Sequence, residues 1–328
     1  MKNCITTCKF LLIFSICLFP LRTKAQVGFA VPLKGYEIGL NMGGMNFLGD
    51  LGGNRGKGTY GPKDLNLPVT HIAMGISAAW YPIEWFGVRL AGNIGRVEGY
   101  DNLIKNNGTE EVPRIFRDLH FRSPLYEMYA GVEFYPTCLI WELRRLPPPR
   151  LKPFFIAGAG IFKFEPHGLY NDGQGNQRWV QLKPLRTEGQ GMTETGRPHY
   201  ATTAFCFPAG IGFKYDLKER LTLSIELIHR FTTTDYIDDV STTYIDPALF
   251  DQHLSPSDAA LAKIMYNPSA RNTVAIPGYD PNKPGNQRGN PKRNDGFVTT
   301  QFRFTWKLGD IYAYWFKNKK SIFNPRVY

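Results

Sequence analysis

The chain of 328 residues carries 39 Lys and Arg against 28 Asp and Glu, a formal net charge of +11, with 14% aromatics and 33 glycines. Of five cysteines only Cys138 and Cys206 lie beyond the N-terminal segment, too few for a disulfide-stapled module and without zinc-ligand spacing. Beyond the N-terminus no run reaches the roughly eighteen apolar residues of a membrane helix, so what remains suits many strands with tight packing.

The first element in chain order is an address label. Lys2 and Lys9 precede an apolar run over 10–19, Pro20 breaks it, and Thr23 and Ala25 place small residues before a cleavage point at Gln26. This is the pattern of a secretory signal over 1–25, with a core too short to cross a bilayer as a helix. Its removal takes Lys2, Lys9, Arg22 and Lys24, lowering the charge from +11 to +7, and leaves Cys138 and Cys206 as the only cysteines.

Eight segments follow that alternate apolar with small or polar residues, the signature of strands. The first, Tyr36–Gly43, opposes Tyr36, Ile38, Leu40 and Met42 to Glu37, Gly39 and Asn41. Ile72–Tyr81 and Phe86–Glu98 continue the pattern, the latter setting Val88 and Leu90 against Arg89, Ala91 and Asn93. Leu125–Pro136 sets Tyr126, Met128 and Val132 against Glu127, Tyr129 and Glu133. In Pro153–Glu165 the larger residues Phe154, Ile156, Phe162 and Phe164 oppose Ala157, Ala159 and Lys163. Thr203–Asp216 places Phe205, Phe207, Ile211 and Phe213 opposite Cys206, Gly212 and Lys214. Leu221–Thr232 opposes Leu223, Ile225 and Leu227 to Ser224, Glu226 and Arg230, and Phe297–Leu308 opposes Phe302, Phe304 and Trp306 to Gln301, Arg303 and Thr305.

The connections alternate in length. Those after the first, third, fifth and seventh strands hold 28, 26, 37 and 64 residues, and the others 4, 16 and 4. Long loops on one end and short turns on the other predict an all-β, eight-stranded antiparallel transmembrane β-barrel, with short periplasmic turns and long extracellular loops. Ten residues rise roughly 33 Å and, tilted about 40°, span about 25 Å, the height of the apolar band in such barrels. The expected organisation is a signal peptide (1–25), an outer-membrane barrel (26–308) and a basic periplasmic tail (309–328).

Eight strands leave a bore that side chains fill. The inward set of Glu37, Glu127, Glu133 and Glu226 with Arg89, Lys163, Lys214, Arg230 and Arg303 is expected to form ion pairs, because unpaired buried charge is very costly. The barrel should therefore be plugged, with function at its rims. The periplasmic end carries the whole mature charge of +7, concentrated in the turn at 137–152 and in the tail. Arg144, Arg145, Arg150, Lys317, Lys319, Lys320 and Arg326 are candidates for contact with an acidic periplasmic partner, against the simpler reading of adhesion to lipid headgroups.

No catalytic constellation emerges, and no cofactor is implied. The stretch Gly49–Gly58 lacks the spacing of a phosphate loop, and the six histidines are never paired at metal-ligand spacing. An outer-rim hydrolase would have to draw on His229, His253 and the acids at 235–239, with His229 on the lipid-facing register.

The stretch GYEIGLNMGGMNFLGDL (35–51) resembles the opening strand and loop of a Bacteroidetes outer-membrane barrel family that includes PorG, a component of the type IX secretion system. TDYIDDVSTTY (234–244), QRGNP (287–291) and DGF (295–297) resemble that family's last long loop. The resemblance implies an integral outer-membrane protein, no catalytic residues, and association with periplasmic ring proteins of the PorK and PorN type.

That last loop gathers acid in a basic chain. Over 233–296 it holds eight Asp against six Lys or Arg, so its charge is mostly balanced within itself. Asp235, Asp238, Asp239 and Asp246 are candidates to order the loop by capping turns and pairing with Arg288, Lys292 and Arg293, or to hold calcium weakly. The expected function is a structural part of a secretion machine. The alternatives are a stand-alone barrel that binds ligands or surface partners through its outer loops, and an outer-rim hydrolase.

Overall fold

The computed structural model describes residues 34–51, 67–103, 117–144, 149–172, 174, 176–268 and 282–308. The signal at 1–25 and the tail at 309–328 lie outside the described residues. Eight long strands form the wall: β1 (Gly35–Leu48), β2 (His71–Ile83), β3 (Phe86–Tyr100), β4 (His120–Phe134), β5 (Leu151–Phe164), β8 (Thr203–Asp216), β9 (Leu221–Thr232) and β10 (Gly296–Leu308). A short hairpin, β6 (His167–Asn171) and β7 (Gln177–Gln181), lies inside the loop after β5. Helices α1 (Pro136–Leu143), α2 (Ala248–His253) and α3 (Pro256–Tyr266) occupy connections.

The wall runs β3-β2-β1-β10-β9-β8-β5-β4 and closes by pairing β4 with β3, every pair antiparallel. Closure leaves no free edge along the wall, which a barrel in lipid requires because every backbone donor and acceptor must be satisfied internally. The β6–β7 hairpin pairs with β4 beyond the end of β5, with Arg122 opposite His167, and so carries that side of the wall upward.

Two segments depart from the sequence expectation. Pro136 does not end the fourth strand but opens α1, since its fixed φ and missing N–H suit a first helical turn. The register of β5 is the reverse of the expected one. Phe154, Ile156, Phe162 and Phe164 are buried inside, while Phe155, Ala157, Ala159, Ile161 and Lys163 face out. Space in the bore explains the inversion. Phe154 lies opposite Gly212, where a Cβ would stand 2.5 Å from the ring, so the bore has room for that ring because its neighbour has no side chain. Lys163 is therefore not an interior ion-pair residue.

Exposure is the reverse of a soluble barrel. Leu40, Ile76 and Phe205 are 65%, 66% and 62% exposed on the outside, while Arg89, Arg230 and Arg303 are wholly buried within. Burying ion pairs and exposing leucine is favourable only where the solvent is lipid. The chain is an integral outer-membrane β-barrel, its long-loop end facing outward.

Candidate functional site

Three regions hold the charged residues: the bore, the lid of loops over the outer mouth, and the periplasmic rim. In the bore, the Arg89 guanidinium donates to both Glu226 oxygens at 2.8 and 3.1 Å and also contacts Glu133. Arg303 lies 2.6 Å from Glu226 and 3.1 Å from Glu133, as an ion pair rather than through aligned hydrogen bonds. Arg230 makes a fork on Glu127 at 2.9 and 3.0 Å, and the Lys214 ammonium donates to Glu37 at 2.6 and 2.7 Å. Tyr81 donates to Glu133 at 2.6 Å, and Tyr135 reaches the same oxygen. Rings fill what the charges leave, with Arg89 and Arg303 lying 5.8 and 5.7 Å from the Phe154 centroid.

Lys152 pairs with Asp216 toward the inner end of the bore, and Lys307 approaches the same carboxylate at 3.7 Å. Sequence reading missed this trio because it placed Lys152 in a turn and left Lys307 unassigned. The alternation of β10 was the available signal, since Lys307 follows Arg303 and Thr305 at a spacing of two.

The lid knits the outer loops together through the opening of the last one. Asp238 accepts from Leu51 N in the first loop and from Val240 N, each at 3.0 Å. Asp239, at φ 63°, accepts from Tyr200 OH at 2.6 Å and from Thr187 in the third loop. Arg117, from the second loop, pairs with Asp101 at 2.7 Å and donates to the carbonyls of Arg288 and Asp50. Arg288 pairs with Glu188 at 3.0 Å, and Glu188 accepts from the backbone of Ser241 and Thr242. Asp295 accepts from Ile237 N at 2.9 Å.

Two of these acids are short of partners. Both oxygens of Asp235 and one of Asp295 are buried without a well-aligned donor, the Ser241 hydroxyl being the polar group nearest to answering Asp235. Burial, reinforced by the negative charge of Asp50 and Asp238, pushes the Asp235 carboxyl up to about 9. Burial likewise holds Asp238 and Asp295 well above the usual carboxylate range and raises Asp239 to about 6, where Arg288 opposes it.

Asp246 does not join them; it is exposed and accepts from Ala248 N at 2.9 Å, turning the chain into α2. Lys292 and Arg293 are exposed as well, so of the three cations expected to answer the aspartates only Arg288 is inside. Among the described residues no three His, Cys, Asp or Glu side chains are arranged to hold a metal ion.

At the periplasmic rim, α1 buries Cys138 and presents Ile140, Leu143 and Arg144 outward, with Leu143 76% exposed. Arg150 stands exposed at the start of β5. Arg145, Lys317, Lys319, Lys320 and Arg326 lie outside the described residues. Cys138 and Cys206 are both buried and unpaired. The residues a hydrolase would need sit in separate settings: His229 packs on Phe231 at 4.3 Å, and His253 pairs with Glu194 at 2.7 Å.

No protein-family model and no curated protein matches the chain. Among solved structures it is similar to a major outer membrane protein from Thermus thermophilus, with 10% identity over 84% of this chain and 100% of that one and a TM-score of 0.37. It is similar to the outer membrane protein OprG from Pseudomonas aeruginosa, with 9% identity over 85% and 99% and a TM-score of 0.33. A third is Ail, the attachment invasion locus protein of Yersinia pestis, in complex with the heparin analogue sucrose octasulfate, at 7% identity over 84% and 100% and a TM-score of 0.33.

Proposed function

We propose that this barrel is a non-enzymatic, non-conducting structural component of a protein-secretion assembly in the outer membrane. The sequence resemblance points to the type IX system, with PorK- and PorN-like periplasmic ring proteins as partners. One observation carries the non-conducting part: Arg89, Glu133, Glu226 and Arg303 are wholly buried across the bore and pair with one another. A bore filled in this way offers no water path, so work falls to the rims.

Support for the periplasmic contact comes from α1. A turn needs only a few residues, yet this one builds a helix whose exposed Ile140 and Leu143 adjoin Arg144, an apolar patch beside a cation. Affinity purification from solubilised membranes tests it. The wild-type chain should recover periplasmic ring proteins, and Leu143→Glu with Arg144→Glu should cut that recovery about tenfold, the loss of one apolar anchor and one charge contact. Equal recovery would remove the rim from the contact. Deleting 309–328 should leave a heat-modifiable barrel while secretion of cargo stops, and unchanged secretion would sink the assignment.

A second reading, partner binding through the outer loops, is favoured by a separate apolar core built from the third and fourth outer loops. There Leu182, Tyr244, Phe250, Ala262 and Tyr266 pack together, more order than a solvated loop requires. Under this reading Asp246→Arg or Lys263→Glu on the lid surface would lower partner recovery, and the α1 variant would not.

A further inference from the structure

The eight wall strands turn many side chains toward lipid, and three of those are Lys or Arg: Arg96, Arg122 and Lys163. All three lie near the outer ends of the adjacent strands β3, β4 and β5. The outward faces of β8, β9, β10, β1 and β2 carry none. Chance placement would scatter three cations around the barrel and between its two ends.

Register fixes their spacing. Lys163 stands opposite Tyr126, with Arg122 four residues further along β4 and Arg96 opposite Pro124 between them. At about 3.3 Å per residue and about 4.8 Å between strands, the outermost two are about 14 Å apart along the wall. The apolar band begins level with Lys163 at Tyr126 and continues below it at Ile161 and Phe205, exposed at 56%, 48% and 62%. The cations therefore stand at the height of the outer-leaflet headgroups.

Their protein partners leave charge unanswered. Arg96 pairs with Glu98 at 2.9 Å, and Glu165 accepts from Gln181 at 2.6 Å. The Arg122 guanidinium stacks 4.3 Å from the Trp179 ring on the hairpin that prolongs this wall, and Arg178 lies 5.2 Å from Tyr170 beside it. Arg122 stands opposite Glu98, but that carboxylate is already held by Arg96 and His71, and one acid is left to answer three cations. A cation bordering hydrocarbon is costly unless an anion meets it, and the anions available at that height are lipid phosphates.

We infer that the outer end of the β3–β4–β5 wall, extended by the β6–β7 hairpin, binds the headgroup of a phosphate-bearing lipid of the outer leaflet, with Lys163 and Arg122 on its phosphates and Trp179 holding Arg122 in place. The full chain, purified in detergent, can be tested by native mass spectrometry with lipid A, with the same lipid chemically dephosphorylated, and with inorganic phosphate. Wild-type protein should retain lipid A, and both other probes should be retained poorly, because the site needs acyl chains on the apolar band as well as phosphate above it. Arg122→Gln with Lys163→Gln should reduce retention about thirtyfold, the effect of two cations beside an anionic lipid. Lys292→Gln, on the exposed last loop, should not. Equal retention of phosphorylated and dephosphorylated lipid by the wild type, or undiminished retention by the double variant, would overturn the site. The wild-type comparison alone decides the matter if the variant fails to fold.

Discussion

The bore and the lid above it both bury carboxylates, but they answer the charge differently. In the bore, Glu37, Glu127, Glu133, Glu226 and Asp216 face Arg89, Lys214, Arg230, Arg303, Lys152 and Lys307, five acids against six cations. In the lid, Asp50, Asp101, Glu188, Asp235, Asp238, Asp239 and Asp295 cluster about two buried arginines, Arg117 and Arg288. Backbone N–H groups and hydroxyls meet some of the surplus, and raised carboxyl pKa values meet the rest. A nearly balanced ion-pair network suits a wall that must stay sealed. An acid-rich lid closes best when some of its carboxyls are protonated.

Breaking one partner in the bore should have the largest effect. Glu133→Gln leaves Arg89 and Arg303 sharing Glu226, and should cost about 3–5 kcal/mol, read as lost heat-modifiable migration and a lower unfolding midpoint in detergent. Replacing both members of a pair, Glu127→Leu with Arg230→Met, should restore most of the loss caused by Glu127→Leu alone. If the single and double variants are equally damaged, pairing is not what the bore requires.

The lid should answer to pH, and the sign follows from the raised carboxyls. A carboxyl whose pKa is higher in the closed lid than in open chain favours closure fully below its ordinary value near 4. That contribution falls as pH rises through about 6 for Asp239 and about 9 for Asp235. Hydrogen exchange of amides over 234–245 should therefore quicken at least about tenfold between pH 5 and pH 9.5, after correction for intrinsic rates. A flat profile would equate the lid with the bore.

Smaller changes sharpen the point. Asp235→Asn with Asp295→Asn keeps shape and removes charge, so it should raise lid protection most at pH 9, by about tenfold or more in exchange rate, and progressively less as pH falls toward 4. Asp246→Ala, on the exposed turn into α2, should cost about 0.5 kcal/mol at every pH. Protease nicking of the last loop would detect both, and any pH dependence of the Asp246 effect would tie it to the buried cluster.

How much of this was legible in the sequence depends on contrast between neighbouring residues. On β8, phenylalanines alternate with Cys206, Gly212 and Lys214, and the register reads directly. On β5 both faces carry large apolar residues, Phe154 and Phe162 on one and Phe155 and Ile161 on the other, so size does not tell the lipid face from the bore. Lys163 was carried to the wrong face by that ambiguity, and it is the residue on which the lipid-headgroup inference now rests. In the last loop the count of acids against bases looked nearly balanced. Counting along a chain cannot show that Asp235, Asp238 and Asp295 go inside while Lys292 and Arg293 stay out.

The sequence by itself determined an eight-stranded wall with long loops outward, because period-two alternation and connection length are local properties of the chain. It also determined that charges of both signs enter the bore. Which acid meets which base was decided only by the tertiary structure. Closure brings Arg89 of β3 against Glu226 of β9, 137 positions along the chain. The same closure gathers the outer loops into a lid whose surplus of acid no single loop contains.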